Sequence, residues 1–438
     1  MQNNIIFTIV AKNYLALAKT LIESVKSSNP LWEQNTQFYV FIADEFGEGQ
    51  NFVIDKCVII ECKDLGLKDY SSLAYKYDIT EFCTALKPFC LDYLSKTTLD
   101  PKIIYFDPDI CVFSSLNPIL SSLENKLCVL TPHYIKPEIN YSGVVPEEMI
   151  LWVGIFNLGF IAVNTQNSNY KIFIEWWKNR LFDKCYADKQ DGLHTDQKWI
   201  DYVPSYFPND VVISHNMGYN VSIWNLHERK IIVDFNQKFH INSTDQMTGH
   251  ELTFFHFSGF DIENKNVIHK HHPVLNISNR PDMIPLLEHY RSSLIRNGIN
   301  TTIKWKYSYE TYKNGYPITQ FHRRLFRRML QMQIKLGDPF SIAEGTMYQL
   351  LKANNLLTKV NQTDKLKATS ITKYSGKIKI VFYVMKLLKS MVGIDKYSLL
   401  LKFLLKYSRT ENQIFLINEL KDQYTFYNEN RIDSINLK

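Results

Sequence analysis

The chain has 438 residues, with 50 lysines and arginines against 44 acidic residues for a formal charge of +6, and a hydrophobic content of 45%. That length can hold one large domain with a smaller one, or two or three ordinary domains, and the modest glycine and proline content excludes a fibrous or wholly disordered chain. No stretch reaches the roughly eighteen uninterrupted apolar residues of a spanning helix, which speaks against an integral membrane protein. The opening segment MQNNIIFTIVAKNYLALAK has no basic leader and no small-residue cleavage site, so no secretory signal is expected. Seven cysteines (Cys57, Cys62, Cys83, Cys90, Cys111, Cys128 and Cys185) form an odd set without a C-x-x-C pair. They read as free thiols in a reducing cytoplasm rather than as a zinc site.

In chain order, IIFTIV, QFYVFIA, CVIIEC, KIIYF, LCVLT and GFIAVN are short apolar runs rich in β-branched and aromatic residues, which suits buried strands. Between them lie segments of helical period, such as Tyr14 to Ser27 with Leu15, Ala18, Ile22 and Val25. Alternating strands and helices predict an α/β sandwich around a mainly parallel sheet. Past HFSGFD the character changes. Ile262 to Pro281 is polar and loop-like, MIPLLEHYRSSLIRNG reads as an amphipathic helix stopped by Gly298, and an aromatic patch precedes the basic helix HRRLFRRML. From about Asp338 the chain is helical, basic and aliphatic, with eleven basic residues from Lys365 to Arg409 against the single acid Asp395.

The stretch KIIYFDPDICVF sets Asp107 and Asp109 on either side of Pro108, directly after a strand ending at Phe106. In parallel sheets ligands gather at the carboxyl ends of strands. Two carboxylates there, with the loop stiffened by proline, make an oxygen-ligand pair for a divalent cation that also binds substrate phosphates. An ordinary acidic turn fits the two residues equally well.

The segments TALKPFCLDYL, IIYFDPDICVFSSLNPIL, FNLGFIAVN, HTDQKWID, GYNVSIWNLHER and FFHFSGFD occur in that order. Together they resemble glycosyltransferase family 8 and its relatives, among them glycogenin, over roughly Ile5 to Asp261. The resemblance implies a GT-A fold, Rossmann-like with helices on both sides of the sheet, and a nucleotide-sugar donor held through a divalent metal. Asp107 and Asp109 match the family's D-x-D, and His256 its third ligand. Adding an imidazole to two carboxylates favours Mn²⁺ over Mg²⁺. Lys87, Asn157, Gly159 and Gly259 match positions around the donor, and Asp196 and Gln197 match the catalytic pair beside the anomeric carbon. Thr8, Ala11 and Tyr14 match the residues that hold base and ribose. Without the family, Lys87 reads as a surface lysine near a helix break, His256 as a core histidine, and Thr195 with Asp196 as a helix cap and first turn.

The family's lysine after HFSG is absent, replaced by FDIENK, so that either Lys265 or a basic residue further on meets the diphosphate, or no residue does. HKHH at His269 to His272 reads as a solvated loop rather than a metal tract. The basic C-terminal helix, its lysines spaced among Val, Ile, Leu and Phe, suits an anionic membrane surface or a packed helical subdomain better than nucleic acid. These readings divide the chain into a catalytic domain over 1–262, a linker and helical extension over 263–340, and a basic helical region over 341–438. They predict a cytoplasmic enzyme, peripheral at the inner face of a membrane, that moves a sugar from a UDP-sugar with retention to a glycan or lipid-linked acceptor in surface polysaccharide synthesis. A sugar-nucleotide hydrolase, a nucleotidyltransferase or a non-catalytic glycan-binding protein are the rival expectations.

Overall fold

The computed structural model describes residues 4–99, 101–244, 249–358 and 375–423. Lys365, Lys367 and Lys373 of the expected basic region lie outside the described residues. The chain forms two compact units, one of Met1–Lys68 with Ile79–Tyr307, the other of Asp69–Asp78 with Ser308–Lys438.

The strands of the first unit are β1 (Asn4–Val10), β2 (Thr36–Ile42), β3 (Val58–Glu61), β4 (Lys102–Phe106), β5 (Ile110–Val112), β6 (Cys128–Leu130) and β7 (Phe160–Asn164). There follow β8 (Ala187–Asp188), β9 (Leu193–His194), β10 (Val211–Ile213), β11 (Arg229–Val233), β12 (Phe239–Ser243), β13 (His250–Glu251) and β14 (Phe254–His256). Seven of them form one sheet in the order β10-β6-β7-β4-β1-β2-β3. β4, β1, β2 and β3 run parallel, as do β10 and β6, while β7 runs against β4 and β6. This is the mainly parallel sheet flanked by helices that the strand and helix alternation predicts.

A sheet covered on both faces needs strands that are apolar on both sides, and β1 is buried along its whole length. On one face Ile6, Val10, Val40 and Ile104 pack with Leu15, Ala18, Ile22 and Val25 of the helix Leu15–Ser28, whose spacing of three and four residues makes one stripe. On the other, Phe7 meets Phe41 edge-on and Phe41 meets Tyr93 of the helix Lys87–Thr97.

The first unit continues past Ile262, the expected end of the catalytic domain, to Tyr307. Its second core joins Ile231, Ile241, Phe255 and Phe257 to Leu286, Tyr290 and Leu294 of the helix Ile284–Arg296, which stops before Gly298 at φ +91°. The apolar stripe read at 283–298 is therefore spent inside this unit.

In the second unit the helix Gln320–Gln331 starts at a capping box, Thr319 accepting from the His322 amide while His322 accepts from that of Thr319. Its four arginines, Arg323, Arg324, Arg327 and Arg328, are buried, so the basic helix HRRLFRRML does not form a basic surface. Arg323 donates to the carbonyls of Ala74, Tyr75, Tyr77 and Tyr309, and Arg327 pairs with Glu411 at 3.1 Å. The helix Tyr70–Lys76 ends there, and Arg323 takes up carbonyls that have no partner within the helix. The helix Ser375–Tyr407 breaks at Gly393 and leaves Ile380, Phe382, Leu387, Met391, Leu399 and Phe403 exposed. Among the described residues no helix is long and apolar enough to cross a membrane.

Candidate active site

The carboxyl ends of the parallel neighbours β1 and β4 open on the same edge of the sheet, so Ala11, Tyr14 and Asp107 meet around one cleft of about 690 Å³. β7 runs against β4, and the Asp107 amide donates to the Gly159 carbonyl at 2.7 Å, which brings Asn157 and Gly159 to the same edge. His256 arrives by a separate route. β14 pairs antiparallel with β5, His256 opposite Ile110, and the Phe257 amide donates to the Asp109 carbonyl at 2.8 Å.

The His256 Nε2 lies 3.1 Å from Asp109 Oδ1 and 3.8 Å from Asp107 Oδ2. One ligand atom from each of Asp107, Asp109 and His256 falls within 4.8 Å of the other two. Burial works against charge on Asp109 and on His256 alike, but each faces the other, so the carboxyl is held below its usual range and the imidazole above. Two hard oxygens and one imidazole nitrogen converging on one point suit a divalent ion. Gly159 explains why the ring can enter: a Cβ there would meet the His256 Cε1 at 2.4 Å. The ring also meets Trp224 edge-on.

Lys87 is 1% exposed, which excludes the surface reading, and it opens the helix Lys87–Thr97 with Pro88 in the first turn, where proline costs no hydrogen bond. Its Nζ donates to the Leu158 carbonyl at 2.7 Å, lies 2.7 Å from Asp196 Oδ2 and 3.5 Å from Asp107 Oδ1, and sits over the Tyr105 ring at 4.5 Å. Burial alone would lower its pKa, yet the two carboxylates hold it above the usual value. Thr195 does not cap a helix. It stands at φ +46° and its hydroxyl donates to Asp196 Oδ1, while the short helix Gln197–Ile200 begins after Asp196 without a side-chain cap. The Gln197 amide is tied to the backbone, donating to the Val153 carbonyl and accepting from the Leu158 amide.

Asn157 is held from three sides. Its Oδ1 accepts from the Gly159 amide and from Asn220 Nδ2, and its Nδ2 faces His133 Nε2 at 3.2 Å. The other His133 nitrogen meets the Ile155 carbonyl at 3.2 Å, so the neutral ring with Nδ1 protonated fits both contacts, and burial holds its pKa down at about 4. His133 and Asn220 were not singled out from the sequence. Asn220 lies within the quoted GYNVSIWNLHER, but nothing in the pattern distinguishes it from Asn225. Tyr105, whose hydroxyl donates to Asp107, was likewise hidden inside a strand.

Of the residues expected around the donor, Ala11, Tyr14, Lys87, Asp107, Asn157 and Gly159 line the cleft, together with Asp109, Asp196, Gln197 and His256. Thr8, fully buried within β1, and Gly259, at φ +65° against the His269 ring, are not among the lining residues. Lys265 is exposed and does not line the cleft either. His269 and His272 do; Lys270 and His271 are exposed as a solvated loop predicts, but His269 is buried. The His271 amide donates to His269 Nδ1 at 3.0 Å, leaving Nε2 as the protonated nitrogen of a neutral ring.

No model of a known protein family matches the chain. The uncharacterized protein YfnF of Bacillus subtilis strain 168 is 24% identical over 309 residues, 66% of this chain and 90% of that protein. Among solved structures, the galactosyltransferase LgtC, in complex with donor and acceptor sugar analogues, is similar over 66% of this chain and 99% of its own at 15% identity and a TM-score of 0.38. Mouse xyloside xylosyltransferase 1 covers 58% of this chain and 97% of its own at 12% identity and a TM-score of 0.35. The glycosyltransferase GlyE of Streptococcus pneumoniae TIGR4 covers 72% and 67%, at 11% identity and a TM-score of 0.36.

Proposed function

We propose that the protein is a metal-dependent glycosyltransferase of the family 8 type, moving a sugar with retention from a nucleotide-sugar, a UDP-sugar by the resemblance, to a hydroxyl of a glycan or lipid-linked acceptor. The observation that carries this reading is the convergence of Asp107, Asp109 and His256 beside the buried Lys87–Asp196 pair in one cleft at the carboxyl ends of β1 and β4. In the reaction the bond from the sugar's anomeric carbon to the diphosphate breaks, a bond to the acceptor oxygen forms on the same face, and the acceptor proton passes to the departing diphosphate oxygen. A bound Mn²⁺ would supply Lewis-acid stabilisation of the departing diphosphate.

The chain's own residues divide the rest. Ala11 and Tyr14 flank the base and ribose. Lys87, fixed by the Leu158 carbonyl, keeps a positive charge beside Asp107 and orients Asp196 toward the anomeric centre. Asn157, locked by His133 and Asn220, meets the sugar hydroxyls. His269 stands in the cleft where the family's lysine is missing, and its Nε2–H is a neutral donor for the diphosphate.

The test is thermal shift against nucleotides and nucleotide-sugars with and without Mn²⁺, followed by turnover with and without acceptor glycans. Stabilisation by a UDP-compound only with metal, and product only with acceptor, support the reading. Donor cleavage that no acceptor accelerates would reassign the site to a sugar-nucleotide hydrolase.

A cytoplasmic location peripheral to an anionic membrane, suited to surface polysaccharide synthesis, is favoured by one feature of the second unit. The helix Ser375–Tyr407 exposes its apolar residues together with Lys379, Lys386, Lys389, Lys396 and Lys402. A basic and apolar helix of this kind lies in the headgroup layer.

A further inference from the structure

A second cavity in the first unit, of about 600 Å³, is lined by the loop residues Ser142 and Val144, by His227, Arg229 and Lys230, and by Asn279 to Asp282. Arg229 opens β11 and is 1% exposed, but its Nε and Nη1 have no hydrogen-bond partner. Its nearest countercharge is Glu228, with Nη2 3.9 Å from Oε2, and the Oε1 of that carboxylate is already taken by the Ile135 and Lys136 amides. A buried guanidinium with idle donors is expensive, because its lost hydration is not replaced. Burial accordingly lowers its pKa to about 10, which still leaves it charged at neutral pH.

The other ionic groups of the wall sharpen the ligand chemistry. Arg280 and Asp282 satisfy each other through two contacts of 2.7 and 2.9 Å, and Asp282 also accepts from the Ile231 amide, so neither charge is left over. The exposed Lys230 has no partner among the described residues. His227, neutral because burial lowers its pKa, leaves both ring nitrogens unpartnered. The cavity therefore offers idle N–H donors from three side chains; Arg229 is balanced by Glu228 at 3.9 Å and Arg280 by Asp282, so the positive charge left over is that of Lys230.

From these contacts we infer that this cavity binds a phosphate group, carried by a small phosphorylated molecule, with Arg229 as its buried anchor and Lys230 and His227 as further donors. A tetrahedral anion with three terminal oxygens can accept from donors on separate sides at once, and charge-assisted bonds to a guanidinium are among the stronger ones. Ile223 lines both this cavity and the cleft of Asp107, so a molecule anchored here has the candidate active site as its neighbour. The inference does not depend on glycosyl transfer.

The experiment is isothermal titration of the full chain with inorganic phosphate, without divalent metal and at fixed ionic strength, on the wild type, Arg229→Lys, Lys230→Glu and Asp109→Ala. The expected result is one phosphate bound, at least tenfold more weakly in Arg229→Lys and in Lys230→Glu, and unchanged in Asp109→Ala. Glucose 1-phosphate, a phosphorylated sugar, should compete for the same site. Absence of binding in the wild type would mean a cavity filled by water only. Equal affinity in Lys230→Glu, which alters an exposed side chain and decides the matter even if Arg229→Lys does not fold, would also overturn the assignment, as would loss of binding in Asp109→Ala.

Discussion

At the scale of single residues, the candidate site depends on a few side chains whose positions are fixed by close contact rather than by reach. Asp109 faces His256 at 3.1 Å, and Asp109→Asn should weaken Mn²⁺ binding by at least about tenfold, as expected when a charged ligand is lost, measured by titration calorimetry. Gly159→Ala places a carbon where the His256 ring now lies, so the ring must move. The expected outcome is a folded protein with unaltered circular dichroism that has lost metal affinity; full affinity would show that the ring has another way to sit. Asp107 and Asp109 were legible in the sequence because they follow a strand end that the pattern marks, whereas Lys87 came only from the family resemblance, its own pattern reading as a surface lysine. The supporting residues were not. His133 and Asn220 act on Asn157 from loops distant in sequence, and only the folded chain brings their hydrogen bonds together.

At the scale of elements, strands and helices of the first unit follow from apolar period, and KIIYF and GFIAVN emerge as β4 and β7 with almost the expected ends. Direction was not legible: nothing in GFIAVN announces that β7 runs against β4, yet that reversal brings Gly159 beside Asp107. The helix Gln320–Gln331 misled for a different reason. Its charge pattern reads as a surface, but Arg323 points inward to carbonyls at the end of the helix Tyr70–Lys76 that need donors, and Arg327 to Glu411. Replacing Arg323 by Met should therefore destabilise the second unit by about 3 kcal/mol, since several buried acceptors lose their donor together. Urea unfolding followed by tyrosine fluorescence measures this, and Arg323→Lys should recover part of the loss.

At the scale of the whole molecule, the pH response follows from buried neutral histidines. His133, His194 and His269 are all held at about 4, chiefly by burial, against an ordinary value of 6.5. At these three histidines the unfolded chain thus binds more protons than the folded one between these values, so the stability they contribute is complete above about pH 6.5 and falls as the pH drops toward 4, opposite in sign to His256. His133→Gln should flatten that slope in thermal melts. The exposed helix Ser375–Tyr407 makes a separate prediction for the intact chain: it should bind vesicles rich in anionic lipid and not zwitterionic ones, with about 1 kcal/mol lost for each lysine removed at Lys386 and Lys389. The two compact units show why the domain plan was hard to read, because residues 69–78 belong with a unit that otherwise begins at Ser308. The most direct test of the central claim is binding of a UDP-sugar to the wild type and Asp109→Ala, titrated with and without Mn²⁺. The account predicts binding to the wild type only when the metal is present, and none to the variant; binding that ignores both the metal and the substitution would contradict it.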